Sequence, residues 1–164
     1  MTVRPAEPAD AAAVAVIYAH YVATSAATFD EEAPGPEEIA AKIASARLPF
    51  LVAEADGRVE GYAYLAPYKE RSAYRYTAEC SVYVAPDARG RGIGRALLER
   101  LLADGERAGV REVVAIIGTT GGEASVALHR ACEFREVGLL RAVGFKHDRW
   151  HDTLLMQRSL SPSE

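Results

Sequence analysis

Between a run of β-formers ending at residue 84 and a leucine-striped segment beginning at residue 97, the chain reads Arg89-Gly90-Arg91-Gly92-Ile93-Gly94-Arg95. Three glycines at alternating positions weaken a strand or a helix interior but suit a tight turn, and this restricts the fold more than any other stretch. Val82, Tyr83 and Val84 precede the turn; Leu97, Leu98, Leu101, Leu102 and Ala108 follow on one helical stripe that stops near Gly109. A strand, a turn and an amphipathic helix in that order call for a sheet with helices packed on it. The turn also places unpaired amide donors and the positive end of a helix dipole beside Arg89, Arg91 and Arg95, a setting that binds phosphate. A solvated basic turn uses the same residues without a ligand; the position between strand and helix favours phosphate.

The rest of the chain fits an α/β domain. A strand at residues 3–5 leads to a helix N-capped by Asp10, with Val14, Ile17, Tyr18, Tyr21 and Val22 at helical spacing. Pro34-Gly35-Pro36 breaks the chain, and a shorter helix with Glu37 and Glu38 in its first turn carries Ile39 and Ile43. Residues 50–54 and 59–65 form a hairpin around Asp56-Gly57, and residues 76–84 a fourth strand. Residues 113–117 are wholly apolar, as in a strand buried on both faces. A second glycine turn, a helix over 124–132 and strands near 137–141 and 153–158 complete the order β-α-α-β-β-β-α-β-α-β-β. The 164 residues, 49% hydrophobic and 26% charged, fit one domain over 1–160 with a polar tail at 161–164.

A net charge of −4 argues against a nucleic-acid or anionic-membrane partner, because either needs a positive field. Cys80 and Cys132 are too few for a disulfide scaffold, and no apolar run reaches the ~20 residues that span a bilayer. A chain starting MTVRPAEPAD, with no charged-then-apolar leader, is expected to be cytoplasmic.

The spacing G-x-G-x-G is not the G-x-G-x-x-G of dinucleotide folds, and no G-K-[ST] loop occurs. Arg89-x-x-Gly92-x-Gly94 instead resembles the pyrophosphate signature of the GNAT acetyltransferases. The likeness continues through Thr28-Phe29, Leu51-Val52-Ala53-Glu54, the region 64–76, Thr77-Ala78-Glu79, Val126-Ala127-Leu128-His129 and Lys146-His147-Asp148-Arg149-Trp150-His151-Asp152. Together these are similar to the phosphinothricin and methionine sulfoximine acetyltransferases. The resemblance implies a mixed, splayed sheet of about seven strands with four helices on its faces, and a homodimer. It implies acetyl-CoA as co-substrate, its pantetheine arm against the backbone of Val82, Tyr83 and Val84 and its pyrophosphate at Arg89, Gly90, Arg91, Gly92, Ile93, Gly94 and Arg95, with Gly122 and Ser125 from the second turn. Two positions depart from the family pattern. Gly121-Gly122 replaces the usual Asp-Asn, removing a side-chain amide, and Glu133 replaces a helix-capping glycine, which strains the backbone if that position is left-handed.

Acetyl transfer to an amine needs a base. Glu79 is the only charged residue between Tyr76 and Val84, and alternation puts it on the face of Thr77, Ser81 and Tyr83. Poor solvation there raises its basicity, although pairing with a cation is the ordinary alternative. His129, on the helix after the second turn, is expected to point into the same cleft as a second acid-base group. Tyr83 and Tyr76 are proton-donor candidates for the leaving thiolate, and Cys80, on the opposite face from Glu79, reads as core. Lys69, Arg71, Tyr74 and Tyr76 crowd the entry to the fourth strand; by resemblance Phe29, Lys69, Arg71 and Tyr74 frame a small amino-acid-like substrate, its carboxylate on Arg71. His147 and His151 have metal-ligand spacing only in a helix, whereas the resemblance makes 146–152 a substrate-side loop, so no metal is expected. A non-catalytic CoA-binding regulatory domain and an acetyltransferase of protein N-termini or lysines remain as alternative readings.

Overall fold

The computed structural model describes residues 1–160. The sequence's polar tail, 161–164, lies outside the described residues. The elements are β1 (Thr2–Pro5), α1 (Ala11–Thr24), α2 (Pro36–Ser45), β2 (Phe50–Ala55), β3 (Arg58–Pro67), β4 (Thr77–Val84), α3 (Ile93–Arg107), β5 (Glu112–Gly118), α4 (Glu123–Ala131), β6 (Arg135–Lys146) and β7 (Arg149–Ser159). They form one seven-stranded sheet in the order β1-β2-β3-β4-β5-β7-β6.

Every neighbouring pair is antiparallel except β4 and β5, which run parallel and touch only over Thr77↔Glu112, Ala78↔Val113 and Glu79↔Val114. Beyond Glu79 they part: β4 stays bonded to β3 as far as Val84, and β5 stays bonded to β7 as far as Gly118. The sheet therefore forks, and the inner backbone edge of β4 from Cys80 onward has no strand beside it.

Side-chain alternation along β4 separates two layers. Tyr83 meets the rings of Tyr18 and Tyr21, which places α1 on its face; on the other, Gly94 of α3 lies against Val84 and against Leu128 of α4. A fully buried apolar layer lies under α3. Leu97, Leu98 and Leu101 are fully buried over the face of Ala53, Ala63, Ala78 and Val113. Each such leucine contributes ~1.5–3 kcal/mol through burial.

Three expectations need correction. Asp10 does not cap α1 through its side chain: its carboxylate accepts from the Glu7 amide at 2.8 Å and takes both terminal nitrogens of Arg4 at 2.9 Å, because a 3-10 turn over Pro8–Asp10 precedes the helix. β5 is not buried on both faces, since Ile116 is 44% exposed where the fork removes its cover. Residues 146–152 are not a loop: β6 and β7 form a long hairpin around His147 and Asp148, both at positive φ, with Asp152 accepting from the Ala142 amide at 2.7 Å to hold a bulge.

Candidate active site

Glu79 occupies the vertex of the fork, the last residue of β4 that pairs with β5. It is half-buried, and burial raises its carboxyl above the usual carboxylate range. Strand geometry aims it to the α1 side, in line with Ser81 and Tyr83. That face carries a hydroxyl cluster: Tyr18 hydrogen-bonds with the Thr28 hydroxyl at 2.7 Å and donates to Asp30. Burial pushes the Tyr83 phenol up, so it keeps its proton.

His129 is only 4% exposed and lies across the strand from Glu79, on the face of Cys80. Its Nδ1–H donates to the Ser125 carbonyl at 2.7 Å, which leaves the Nε2 lone pair toward the Cys80 sulfur at 3.6 Å. Burial lowers its basicity and pushes the Cys80 thiol up to about 12, so the pair is a neutral imidazole accepting from an S–H. The helical spacing that suggested a shared cleft carries no information about which sheet face the helix covers; the structure does not bring His129 and Glu79 to one face.

The first glycine turn has the form of an anion cradle. Gly90 and Gly92 both adopt positive φ, 78° and 80°, and a β-carbon on either would meet nothing within 4 Å. The first helical bond of α3 runs from the Ala96 amide to the Gly92 carbonyl, so the amides of Ile93, Gly94 and Arg95 precede the ladder and are free for a ligand. Arg95 is paired with Glu99 at 2.8 Å in a solvent-exposed contact that exchanges readily. Arg91 reaches the Asp87 carbonyl at 3.4 Å, and Arg89 donates to the Tyr21 hydroxyl at 3.1 Å. Tyr21 in turn donates to the Val84 carbonyl, tying α1 to the end of β4 beside Val82 and Tyr83. An elongated phosphate ester fits this arrangement, its anion at the turn and its arm along the open edge of β4 toward Glu79. The second turn differs. Gly121 has φ 71°, and a β-carbon on Gly122 would collide with the Gly118 carbonyl. Ser125, half-buried in the first turn of α4, lends its carbonyl to His129.

The chain matches the acetyltransferase (GNAT) family over residues 16–134. It is 49% identical to the phosphinothricin N-acetyltransferase of Alcaligenes faecalis, across 99% of this chain and 84% of that protein. It is 37% identical to an L-methionine sulfoximine/L-methionine sulfone acetyltransferase of Salmonella typhimurium, across 98% and 95%. Among solved structures, a phosphinothricin acetyltransferase from Sinorhizobium meliloti in complex with acetyl-CoA superimposes with a TM-score of 0.92 at 41% identity, covering 96% of this chain and 87% of that one. The chain belongs to the GNAT acetyltransferase family. The fork between β4 and β5 and the cradle before α3 are therefore features of a GNAT enzyme, and acetyl-CoA is bound in a homologous structure.

The remaining residues singled out in this GNAT chain fall in two groups. Phe29, 37% exposed, follows α1 and covers Gly144, where any β-carbon would enter its ring; it also faces His151 at 5.9 Å. Lys69, Arg71, Tyr74 and Tyr76 gather between β3 and β4: Lys69 lies 5.3 Å from the Tyr68 ring and 5.7 Å from Tyr74, Arg71 begins a 3-10 turn, and Tyr76 is half exposed under Arg75. Among the described residues no group of three or more His, Cys, Asp and Glu is placed to hold a metal, and no helix is long and apolar enough to cross a membrane.

Lys146 was missed as a site residue. It is 2% exposed, with its ammonium donating to the Thr28 carbonyl at 2.8 Å, and it fastens the connection that carries Phe29 to the β6–β7 hairpin. His151, also buried, bonds the Lys146 carbonyl and the Thr120 hydroxyl, each at 2.8 Å, extending the tie to the second turn. The motif around residue 146 signalled importance, but no periodicity distinguishes a buried lysine from a solvated one.

Proposed function

We propose that this protein is an acetyl-CoA-dependent N-acetyltransferase of small amino-acid-like amines such as phosphinothricin, methionine sulfoximine or methionine sulfone. The observation that carries the reading is Glu79 at the vertex of the fork, half-buried and held basic by poor solvation, where a thioester lying along β4 would end. In this reading Glu79 removes a proton from the substrate ammonium, directly or through water, and the neutral amine attacks the thioester carbonyl. As the amide forms, the attacking nitrogen sheds its second proton, and the departing thiolate takes one from Tyr83 or Tyr76, whose phenol the shed proton restores. His129, its lone pair taken by the Cys80 thiol, acts from the sealed face as a positioning residue that holds α4 against β4. The pyrophosphate is held by Arg89, Gly90, Arg91, Gly92, Ile93, Gly94 and Arg95, the arm by the backbone of Val82, Tyr83 and Val84, and the cofactor's edge by Gly122 and Ser125. No step requires a metal.

Phe29, Lys69, Arg71, Tyr74 and Tyr76 bind the acceptor. Arg71 is exposed, and among the described residues no carboxylate pairs with its guanidinium, so it can take a substrate carboxylate in a forked contact. Such a contact contributes on the order of 2 kcal/mol, so an acceptor lacking the carboxylate loses ~30-fold in kcat/KM. Arg71→Ala imposes the same loss on the parent and little more on the decarboxylated analogue. Thiol release from acetyl-CoA, followed across both acceptors and both proteins, tests this; losses that simply multiply remove Arg71 as the anchor. We further propose a cytoplasmic homodimer, with no nucleic-acid or membrane partner, paired through the β6–β7 hairpin, whose outer strand exposes Val137, Leu139, Leu140, Val143 and Phe145. Sedimentation of the wild type against Val143→Lys tests the pairing.

A further inference from the structure

A cavity of about 480 Å³ opens between α1, the connection leading into α2, and the face of β2 and β3. Its size suits a small ligand. The floor is a stack of nearly parallel rings, with Phe50 and Tyr64 at 5.0 Å and 16°, and Tyr62 and Tyr64 at 6.4 Å and 1°. Tyr18 stands on the α1 side, and the lining carries Asp30, Glu32 and Glu38 against one cation, Lys42.

Two independent observations mark this as a binding site and not a packing gap. Tyr62 is only 2% exposed and lines the cavity, yet its hydroxyl makes no hydrogen bond among the described residues. That hydroxyl opens into the cavity, where a ligand can bond it. In addition, the Lys42 ammonium sits 4.0 Å from the centre of the Tyr64 ring, so the cavity already holds a cation supplied by its own chain.

The chemistry of the walls selects the ligand's charge. Ring faces present negative quadrupoles, three carboxylates outnumber one ammonium, and a phenol oxygen accepts from an N–H donor. An anion would meet the carboxylates, and a neutral solute would gain only the apolar contacts. We propose that this cavity binds a small organic ammonium ion, which displaces Lys42 from Tyr64 and donates to the Tyr62 hydroxyl. Pairing of Tyr64 with Ser81 and of Ala66 with Glu79 puts the cavity on the Glu79 side of the sheet, displaced toward β2. Asp30 on its lining directly follows Phe29, so an occupant touches the connection that carries Phe29.

A tertiary ammonium tests the site without turnover, because its nitrogen cannot give a stable amide. Calorimetric titration of the full chain with N,N-dimethylethanolammonium is compared with its neutral isostere 3-methylbutan-1-ol. Saturable binding of the cation, with the alcohol at least ~10-fold weaker, is expected from the ring and carboxylate contacts. Lys42→Met removes the competing cation and strengthens binding ~3-fold or more, while Tyr62→Phe and Glu38→Gln each weaken it several-fold. Acetyl-CoA affinity, measured on the same proteins, stays unchanged and reports that each is folded. The proposal is overturned if neither wild type nor Lys42→Met binds the cation, if the alcohol binds equally well, or if the variants leave binding unmoved.

Discussion

Glu79 and Cys80 are neighbours in the chain, yet they belong to two environments that differ in nearly every physical respect. On the Glu79 face the sheet has just forked, the carboxyl is half-buried, and hydroxyls of Tyr18, Thr28 and Tyr83 line the way to it. On the Cys80 face α3 and α4 close over the strand, the thiol is fully covered, and His129 is spent on two internal hydrogen bonds. Burial raises the pKa of Glu79 and of Cys80 and lowers that of His129, in each case favouring the neutral form. In the proposed mechanism only the forked side turns that shift into a base with room for a substrate. A single peptide step thus separates chemistry from packing.

The largest expected effect falls on the forked side. Glu79→Gln keeps volume and hydrogen bonding but removes basicity, so turnover falls ~10²-fold or more while acetyl-CoA affinity changes little. Because the base works when deprotonated and its pKa is raised, wild-type kcat/KM climbs with pH through an inflection above the ordinary carboxylate range. The variant's profile loses that inflection. A pH-rate curve that keeps it would hand the base role to another group.

On the sealed side the effect is on stability first. His129→Ala opens a cavity and takes the acceptor from the Cys80 thiol, which costs ~2–4 kcal/mol in denaturant titration, with turnover reduced less than by Glu79→Gln. The sign of its pH dependence is fixed by the lowered native pKa. The unfolded chain takes up the proton first, so His129 contributes stability above its unfolded pKa of ~6.5 that is lost as pH falls toward the native value. His129→Ala flattens that acid-side slope. If it abolishes turnover at unchanged stability, the two faces are not functionally distinct.

The glycine turns repeat the contrast. Gly92→Val fills open space at the mouth of the cradle and lowers acetyl-CoA affinity ~10-fold, with some cost from its positive φ. Gly122→Ala meets the Gly118 carbonyl and destabilises the second turn instead. Calorimetry of acetyl-CoA binding beside thermal melts separates the two, and equal effects on both quantities would erase the distinction.

What the chain reveals before folding follows the same division. The cradle was legible because glycine spacing, a preceding strand and a following leucine stripe all act within a few residues. Strand alternation likewise assigned Glu79 and Cys80 to opposite faces, as the layers of helices bear out. The position of His129 was not legible, since it depends on which face α4 covers, and that is decided by packing over the whole sheet. Lys146 was hidden for the same reason: its partner Thr28 lies 118 residues away. The extent of the β6–β7 hairpin was also underestimated, because glycines at 138 and 144 and a bulge at residue 142 interrupt the alternation that marks a strand.

The smallest expected effect lies at the end of the sealed side. Glu133 follows α4 at φ 66°, in the left-handed region that the departure from a capping glycine put at risk of strain. The surrounding geometry is that of a helix cap: the Phe134 amide donates to the His129 carbonyl at 2.9 Å, and the Glu133 amide to Arg130 at 3.0 Å. The Glu133 side chain offers little in return, being 81% exposed with one 3.4 Å contact to Arg158. Relief of left-handed strain by Glu133→Gly gains ~1 kcal/mol, reduced by the extra freedom of glycine in the unfolded chain, so a net rise of a few tenths to ~1 kcal/mol is expected. Since the same cap ends the helix that holds His129, kcat and the pH profile stay as they are. A rise in stability accompanied by a changed profile would mean that strain at residue 133 reaches the reaction centre, and the sealed face would then share in the chemistry.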